Sequence, residues 1–256
     1  MRSLEDKVAV VVGAGRGLGR GIADAFLQAG GEVVAVSRSP ANADNHPRLH
    51  IVAADGADPV VAGNLLTQWK PDVLALVAGA APLLRPIHLH TWETFSTNWQ
   101  TDVRMTFHWL REALLMPLRP GSRVIVMSSG AAVMGSPLSG GYAGAKATQR
   151  FVAAYAAEES KRRELGIGIT AVLPRLTPAT DLGHAAVLAY AAREGLDEKE
   201  YVRQMVDPVT PEIAGAAFLE LATTDLGNGG SYLLTGGGLQ PLTDKQPAAR
   251  ATGGRQ

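Results

Sequence analysis

The sequence predicts an α/β fold in which a doubly wound parallel sheet of about seven strands carries helices on both faces. Short runs rich in valine and isoleucine alternate with helix-period segments, an order typical of strand-helix-strand units. Glycine is abundant, at 29 of 256 residues, which suits many strand-to-helix turns. No internal repeat or linker interrupts this pattern. We therefore expect one domain over residues 1–242 and a polar, flexible tail over 243–256.

Composition narrows the classes of function. Lysine and arginine together number 24, as do aspartate and glutamate, so neither a nucleic-acid nor a membrane partner is expected. The chain has no cysteine, which excludes disulfides, thiolate metal sites and cysteine nucleophiles. Its six histidines are scattered without metal-ligand spacing, and no apolar run is long enough to cross a bilayer. With no signal peptide evident, we expect a cytoplasmic protein without a metal site.

A glycine-rich turn follows the first predicted strand, at 7–12, and precedes a helical pattern. Backbone amides at the start of a helix approach a pyrophosphate closely when no Cβ intervenes, so this context is typical of a dinucleotide-binding loop. The spacing is Gly13-x-x-x-Gly17-x-Gly19, whereas a Gly-x-Gly-x-x-Gly template beginning at Gly13 would end at Leu18. A plain glycine-rich helix start is the alternative interpretation.

The end of the second strand, at 32–36, indicates which dinucleotide would bind. NAD sites place an acidic residue there for the ribose hydroxyls, whereas an arginine accommodates the 2′-phosphate of NADP. Here Ser37 and Arg38 follow the strand, and Arg16 of the glycine loop can reach the same region. We therefore predict NADP(H) rather than NAD(H), the alternative being that both arginines are simply exposed.

Two further strand ends add candidate cofactor contacts. Asp55 follows a third strand at 49–53 and is placed to accept a hydrogen bond from the adenine amino group. It could instead cap a surface helix, although Asp58, directly before a proline, fits that role better. A fourth apolar strand at 72–77 ends in Ala78-Gly79-Ala80, whose small side chains let the backbone pass close to a nucleotide.

Helical segments account for much of the remaining chain. Residues 91–117 carry an apolar stripe at three- and four-residue intervals, from which Asp102 departs. A helical insertion at about 178–207 is a candidate lid over the substrate, or else a hairpin that packs against another subunit. A helix at 211–223 and a strand at 231–234 complete the predicted domain.

The strongest catalytic candidates are a serine, a tyrosine and a lysine in the middle of the chain. Tyr142 and Lys146 are four residues apart at the start of a long predicted helix, 142–165, so they share one face. A cation near a phenol oxygen stabilises the phenolate, which suits a general acid or base. Ser129 follows a buried strand at 124–127 and would lie at its carboxyl end, where open α/β sheets form their sites. Taken alone, a tyrosine and a lysine at this spacing more often lie on a solvated helix face, and a serine after a strand more often forms a turn.

Together these residues resemble the short-chain dehydrogenase/reductase family over roughly positions 6 to 240. The match consists of the glycine loop, the small-residue turn, the serine, the tyrosine-lysine pair and a proline after a sixth predicted strand at 167–173. Its residues are Gly13, Gly17, Gly19, Ala78, Gly79, Ser129, Tyr142, Lys146 and Pro174. The resemblance implies a Rossmann-like fold and assembly as a homodimer or homotetramer.

The resemblance also implies roles for individual residues. During carbonyl reduction Tyr142 would donate the proton, Ser129 would hydrogen-bond the same oxygen, and Lys146 would favour the phenolate and bind the nicotinamide ribose. The cofactor would supply the hydride. Cofactor contacts are expected from Gly13, Arg16, Gly17, Leu18, Gly19, Ser37, Arg38, Asp55, Ala78, Gly79, Tyr142, Lys146, Pro174 and Thr177.

Several positions depart from the family pattern. Asp102 is the fourth candidate catalytic residue, because its 27-residue spacing to Ser129 places it where the family has an asparagine in that role. An ionised aspartate accepts hydrogen bonds but cannot donate them, and it brings a negative charge near Lys146. Asn98 lies one turn earlier. Further differences occur around the cofactor loops, at Val12, Leu76-Val77 and Arg175.

We therefore expect an NADPH-dependent carbonyl reductase, or the reverse alcohol dehydrogenase, acting on a small to medium, partly apolar ketone or alcohol. An enoyl reductase is less favoured because that branch of the family spaces its tyrosine and lysine further apart. The alternative from another class is a catalytically impaired nucleotide-binding regulatory or scaffold protein. Asp102, Leu76-Val77 and Arg175 are the features that motivate this alternative.

Overall fold

The described part of the chain, residues 3–39, 46–224 and 228–242 of a computed structural model, forms one eight-stranded sheet flanked by helices. The strands are β1 (Val8–Val12), β2 (Glu32–Ser37), β3 (Leu49–Ala53), β4 (Val73–Leu76), β5 (Arg123–Met127), β6 (Gly168–Pro174), β7 (Ser231–Thr235) and β8 (Gly238–Pro241). The α-helices are α1 (Gly17–Gln28), α2 (Pro59–Trp69), α3 (Trp92–Asn98), α4 (Arg104–Leu115), α5 (Ala131–Met134), α6 (Tyr142–Arg162), α7 (Asp181–Glu194), α8 (Glu198–Arg203) and α9 (Pro211–Thr223). A π-helical stretch, Trp99–Val103, separates α3 from α4, and one 3-10 turn covers Ile87–Leu89.

The order of the strands places a crevice near the middle of the sheet. That order is β3-β2-β1-β4-β5-β6-β7-β8, and each neighbouring pair is parallel except β7 with β8. From β1 the chain winds outward to β2 and β3, and it then returns to β4 on the other side. The carboxyl ends of β1 and β4 therefore meet where the winding reverses, with Val12 paired to Leu76. Ligands of open α/β sheets bind at such a point.

Two apolar cores cover the two faces of the sheet. On one face α1 and α9 pack around Ile22 and Phe218, which are fully buried. On the other face α2, α4 and α6 surround Trp109, whose indole nitrogen donates to the Gly56 carbonyl oxygen at 2.8 Å. Central strands contact both layers, so nearly all of β1 and the whole of β4 are buried. This two-sided burial explains why both strands are unbroken apolar runs in the sequence.

The predicted fold class is confirmed, with one strand more than the seven expected. β8 was missed because it is a short edge strand that follows β7 through a tight turn, with Thr235 paired to Gly238. Its residues are at most half-buried, so they form no apolar run. The tail predicted at 243–256 lies outside the described residues.

The predicted helix at 91–117 is divided by the π-helical stretch, which adds an extra residue to the helical repeat. Asp102 lies within this stretch and is fully buried. The insertion predicted at 178–207 contains α7 and α8, whose first turns are capped by the side chains of Thr180 and Asp197. The side chain of Asp58 caps α2, as expected.

Candidate active site

The turn after β1 depends on glycine at three positions. Gly13 and Gly17 have φ angles of 101° and 56°, a region that residues with a Cβ rarely occupy. A Cβ on Gly13 would also lie 2.5 Å from the Ala78 nitrogen, and one on Gly19 would lie 2.1 Å from the Gly13 carbonyl oxygen. The glycine pattern therefore packs the first turn of α1 against β1 and against the loop after β4.

The amino end of α1 has the properties of an anion site. Arg16 occupies the N-cap position in an extended conformation, and its side chain makes no capping hydrogen bond. Unpaired backbone amides and the helix dipole at such an end favour a negatively charged group. Leu18, in the same turn, is half-buried and packs against the core. Because this end lies where the winding reverses, it fits the diphosphate of a dinucleotide.

Residues predicted to contact ribose and adenine lie along the neighbouring strand ends. Ser37 ends β2 beside the glycine loop, since a Cβ on Gly15 would come within 3.0 Å of its Oγ. Arg38 follows and is exposed, as is Asp55 just beyond β3. The Asp55 carboxylate accepts a hydrogen bond from the Ala57 amide at 3.0 Å, which shapes the turn before α2.

Arg16 is already engaged by another part of the protein. Its guanidinium donates to the carboxylate of Asp181, the first residue of α7, at 2.8 Å. Thr180 also packs on the glycine loop, because a Cβ on Gly17 would lie 3.2 Å from its methyl group. The start of the predicted lid is thus in contact with the predicted cofactor loop. Both side chains of the ion pair are largely exposed, at 81% and 78%, so the pair contributes little stability.

The loop after β4 connects the glycine loop to a buried carboxylate. The Ala78 amide donates to the Val12 carbonyl oxygen at 2.8 Å. Gly79 has no space for a side chain, since a Cβ there would lie 2.8 Å from Oδ2 of Asp102. The Ala80 amide donates to Oδ1 of the same carboxylate at 2.8 Å. The small residues of this loop are therefore needed for its contact with Asp102.

Asp102 is fully buried and forms an ion pair with Lys146, with 3.1 Å between Oδ2 and Nζ. The Thr101 hydroxyl donates to Oδ1 at 2.7 Å, and the Asn98 amide nitrogen lies 3.4 Å from both carboxylate oxygens. That amide also donates to the Ala80 carbonyl oxygen at 2.7 Å. Donors therefore surround the carboxylate, as a buried charge requires.

Lys146 is buried at the same place. Its ammonium donates to Oε1 of Gln149 at 2.8 Å and approaches the Met127 carbonyl oxygen at 3.5 Å. Burial by itself lowers the pKa of Lys146, but the Asp102 carboxylate and the Tyr142 phenol more than offset this effect, so the pKa is raised. Lys146 is consequently a cation at neutral pH.

Tyr142 and Lys146 lie on one face of α6. The Lys146 nitrogen is 5.5 Å from the centre of the Tyr142 ring, which is half-buried. Ser129 lies just beyond β5 and accepts a hydrogen bond from the Ala131 amide at 3.2 Å, at the start of α5, which packs against α6. The preceding Ser128 is buried and donates to the Lys146 carbonyl oxygen at 2.7 Å. Ser129, Tyr142 and Lys146, three of the four predicted catalytic residues, therefore lie at the same edge of the sheet.

The end of β6 completes this edge. The Pro174 carbonyl oxygen accepts from the Gly130 amide at 2.8 Å, which joins the loop after β5 to the loop after β6. The Thr177 hydroxyl is buried and donates to the Val209 carbonyl oxygen. It also accepts from the Ala179 amide at 3.1 Å. Pro174 thus lies beside the serine loop, whereas the Thr177 hydroxyl is hydrogen-bonded to backbone groups of the protein itself.

Gln149 is a site residue that the sequence interpretation missed. It lies three residues after Lys146, a spacing that places both side chains on one helix face and could have indicated the contact. Its amide nitrogen donates to Thr106 Oγ1 at 2.6 Å and to the Asp102 carbonyl oxygen at 3.2 Å. Gln149 therefore links α6 to α4 and to the π-helical stretch.

Tyr190 of α7 is a second site residue that was missed, and no spacing in the sequence pointed to it. Its hydroxyl hydrogen-bonds to Ser136 in the loop between α5 and α6, and its ring stacks on Tyr201 of α8 with centroids 6.5 Å apart. Burial raises the pKa of Tyr190, and the Tyr142 phenol adds to this rise although the Ser136 hydrogen bond opposes it. The α7–α8 segment thus contacts the loop that leads into Tyr142.

Two further properties of the described residues bear on function. No group of three or more histidine, aspartate or glutamate side chains in residues 3–39, 46–224 and 228–242 is arranged to hold a metal ion. Over the same ranges, no helix combines the length and the apolar character needed to span a bilayer.

Comparison with known sequences gives three findings. A family model described as short chain dehydrogenase matches residues 7–190. The hydroxynaphthalene reductase-like protein Arp2 of Metarhizium majus is 28% identical over 263 residues, which cover 92% of this chain and 96% of that protein. An uncharacterized oxidoreductase of Mycobacterium tuberculosis is 46% identical over 76 residues. This match covers only 27% of the present chain and 29% of the Mycobacterium tuberculosis protein.

Solved structures have the same fold. A levodione reductase superposes with a TM-score of 0.77 at 20% identity, covering 91% of this chain and 98% of that protein. The 3-ketoacyl-(acyl-carrier-protein) reductase from Brucella melitensis, in complex with NADH, has a TM-score of 0.75 at 23% identity and covers 92% and 99%. At 20% and 23% identity, these superpositions establish the fold alone. The family model, in contrast, matches the sequence itself over most of the chain.

Proposed function

Because the chain belongs to the short-chain dehydrogenase family, we propose that this oxidoreductase is a cytoplasmic, NADP(H)-dependent enzyme that interconverts a ketone and an alcohol. The observation that carries the proposal is the Lys146 ammonium, held 5.5 Å from the Tyr142 ring at the edge of the sheet where the glycine loop opens. A phenol beside a fixed cation is suited to proton transfer near neutral pH.

Each catalytic residue has one task in this proposal. In the direction of reduction, Tyr142 donates its phenol proton to the substrate carbonyl oxygen, and Ser129 hydrogen-bonds the same oxygen. Lys146 stabilises the phenolate that remains. A bound nicotinamide supplies the hydride that the carbonyl carbon receives, so the product is the alcohol. In oxidation, Tyr142 takes the hydroxyl proton back.

The preference for NADP(H) rests on the end of β2 and on the glycine loop. Ser37 puts no carboxylate where it would repel a 2′-phosphate, and Arg38 is exposed beside it. Arg16 can join them by exchanging the Asp181 carboxylate for the phosphate, since both partners of that ion pair are exposed. The Brucella melitensis reductase was solved with NADH, so the choice between the two cofactors needs a direct test.

The substrate site in this proposal lies under α7 and α8. Tyr190 and Ser136 hold this lid against the loop before α6, and apolar side chains of the loop after β4 and of α5 are exposed. They are Leu83, Val133 and Met134. Such a lining suits a small to medium, partly apolar ketone. Aromatic ketones merit inclusion in a substrate panel, because the Metarhizium relative is named for hydroxynaphthalene reduction.

We further propose that the enzyme is a homodimer or homotetramer joined through α4 and α6. These helices pack side by side and expose Phe107, Phe151 and Tyr155, of which the last two are each 66% exposed. The Phe151 and Tyr155 rings also stack, with centroids 6.1 Å apart. An apolar face of this kind, running along two adjacent helices, is suited to a second copy of the same face.

The second candidate function is that of a nucleotide-binding regulatory or scaffold protein with impaired catalysis. It is favoured by the Asp102–Lys146 ion pair, which commits the lysine to a buried partner. In this case NADPH binds tightly and no substrate is turned over. Calorimetry beside a turnover assay separates the two functions.

The test of the main proposal is the oxidation of NADPH and NADH over a panel of aliphatic, cyclic and aromatic ketones. We expect turnover with NADPH, and a loss of about 10²- to 10⁴-fold in Tyr142→Phe, the range that general acid catalysis contributes. Tyr155→Phe, on the same helix but on the exposed face, serves as the matched control with unchanged turnover. Turnover in Tyr142→Phe equal to that of the wild type would refute the assigned role.

A further inference from the structure

The Lys146 ammonium is engaged by the protein on every side. An ammonium group has three N–H donors. Three acceptors face it: Oε1 of Gln149 at 2.8 Å, Oδ2 of Asp102 at 3.1 Å and the Met127 carbonyl oxygen at 3.5 Å. No N–H is left for the ribose of a nucleotide unless one of these contacts breaks.

The cluster around Asp102 is built for a carboxylate. In the described part of the chain, three groups that contact its oxygens can only donate: the Ala80 amide, the Asn98 NH₂ group and the Lys146 ammonium. The Thr101 hydroxyl also contacts Oδ1, and it shares its one proton between that oxygen and the Thr97 carbonyl oxygen at 2.9 Å. An asparagine here would turn its own NH₂ group toward at least one of these donors. The cluster therefore favours aspartate, and the pair that Asp102 forms with Lys146 has no net charge.

Gln149 fixes the ammonium from the other side. It accepts from Lys146 while its NH₂ group donates to Thr106 and to the Asp102 carbonyl oxygen, so its orientation is set by three hydrogen bonds. Gln149 and Asp102 are both fully buried, and solvent therefore does not screen their interactions with the lysine.

We propose that Asp102 and Gln149 are positioning residues that retain Lys146 within the protein, where it supports Tyr142 as half of a neutral pair and does not bind the cofactor as a free cation. This inference rests on the proposed function, since it concerns the same site. The Asp102 carboxylate cancels part of the field of the ammonium, so the Tyr142 phenolate is stabilised less. Alcohol oxidation needs the phenolate, so it reaches its full rate at a higher pH than it would without the Asp102 charge.

Few titratable groups act on this cluster. Asp102 from the π-helical stretch and Tyr142 from α6 itself are those that shift the pKa of Lys146. The other described contacts to the lysine side chain, from β5 and from Gln149, are neutral. On the lid, the pKa of Tyr190 is raised first by burial and in part by the Tyr142 phenol. The charge of the cluster can therefore be changed one residue at a time.

Two substitutions change that charge in opposite directions. Asp102→Asn removes a negative charge beside the ammonium, and Gln149→Glu adds one. We expect the rising limb of kcat for alcohol oxidation against pH to move down by about one pH unit in Asp102→Asn and up by about as much in Gln149→Glu. At neutral pH, kcat should rise about tenfold in the first variant and fall about tenfold in the second.

The control is Gln28→Glu, which adds the same charge at the exposed end of α1 and should leave the limb in place. Melting temperatures establish that each variant is folded. If Asp102→Asn does not fold, the upward shift in Gln149→Glu still tests the inference. Loss of rate in the folded variants without movement of the limb would show a merely structural cluster and overturn the proposal.

Calorimetry with NADP⁺ separates failure of this inference from failure of the proposed function. Asp102→Asn frees an N–H donor and an uncompensated positive charge, so we expect NADP⁺ to bind about tenfold more tightly whether or not any ketone is reduced. Unchanged affinity in folded Asp102→Asn would overturn the inference. Tighter binding without turnover in any variant would support it and overturn only the proposed function.

Discussion

Arg16 in the glycine loop and Asp181 at the start of α7 form an ion pair of 2.8 Å, so the proposed cofactor site and the proposed lid share one guanidinium. A 2′-phosphate would compete with Asp181 for Arg16. Asp181→Asn should therefore increase the affinity for NADPH, by at most about fivefold, because exposed ion pairs are worth up to about 1 kcal/mol. The affinity for NADH should not change. Nucleotide fluorescence titration measures both constants.

Glu194→Gln is the control for this prediction, since it removes the same charge from the far end of α7. It should leave both affinities unchanged. An equal gain for NADPH and NADH in Asp181→Asn would mean that Arg16 does not contact the 2′-phosphate.

Cofactor preference should depend on Arg38. Arg38→Ala removes a cation from the carboxyl end of β2, and we expect the NADPH-to-NADH ratio of kcat/KM to fall at least about tenfold, the value of one charge-assisted hydrogen bond. Arg48→Ala removes an exposed arginine from the opposite edge of the parallel sheet, at the start of β3, and should leave the ratio unchanged. Steady-state kinetics with both cofactors provide the comparison. An unchanged ratio in Arg38→Ala would assign the preference elsewhere.

Much of this fold could be predicted because its main signals are local. The runs at β1 and β4 are apolar on both faces. The glycine loop is constrained by positive φ and by backbone packing so tight that a Cβ on Gly19 would lie 2.1 Å from the Gly13 carbonyl oxygen. β8 could not be predicted in this way, because its pairing with β7 depends on a turn and not on buried side chains.

The catalytic cluster was predictable only in part. The four-residue spacing of Tyr142 and Lys146 is local and indicates a shared helix face. The burial of Asp102 could not be predicted from its sequence neighbours. It depends on the π-helical stretch, and the three- and four-residue apolar spacing of this segment indicated an uninterrupted α-helix. The contact between Tyr190 and Ser136 joins residues 54 positions apart, and no sequence period reports it.

The proposed assembly through α4 and α6 predicts that a charge on this face separates the subunits. Phe151→Glu places a carboxylate on a side chain position that is 66% exposed in the single chain, so the monomer should fold normally while the mass in solution falls. Light scattering after gel filtration measures that mass. Val60→Glu, at a 63% exposed position of α2, is the matched control. Equal masses for all three proteins would refute this interface.

The hydrogen bond between Tyr190 and Ser136 should affect substrate binding more than cofactor binding. Tyr190→Phe keeps the ring that stacks on Tyr201 and removes only the hydroxyl. We expect the KM for the ketone to rise about fivefold, the cost of one neutral hydrogen bond, with the affinity for NADPH unchanged. Tyr201→Phe, which keeps the same stack and the Ser136 hydrogen bond, should leave the KM in place. A change in NADPH affinity alone would contradict a role in the lid.

Lys146 should be as important for stability as for catalysis. Lys146→Met leaves the Asp102 carboxylate buried without its counterion, and we expect it to lower the free energy of unfolding at pH 7 by about 3–5 kcal/mol. The double variant Lys146→Met/Asp102→Asn should lose less than this, because no unpaired charge remains. Urea denaturation of the wild type, both single variants and the double variant gives the coupling energy. Losses that add to within about 0.5 kcal/mol would show that the two residues do not interact.

The same pair makes a prediction for alkaline pH. Burial lowers the pKa of Lys146, but Asp102 and Tyr142 raise it by more, so the folded protein holds this proton more tightly than the unfolded chain does, whose value is about 10.5. Stability from Lys146 is therefore fully present below pH 10.5 and is lost as the pH rises through the higher folded-state value. The difference in melting temperature between wild type and Lys146→Met should be constant from pH 7 to 10 and narrow above that range. A difference that widens with pH would mean that folding favours the neutral amine.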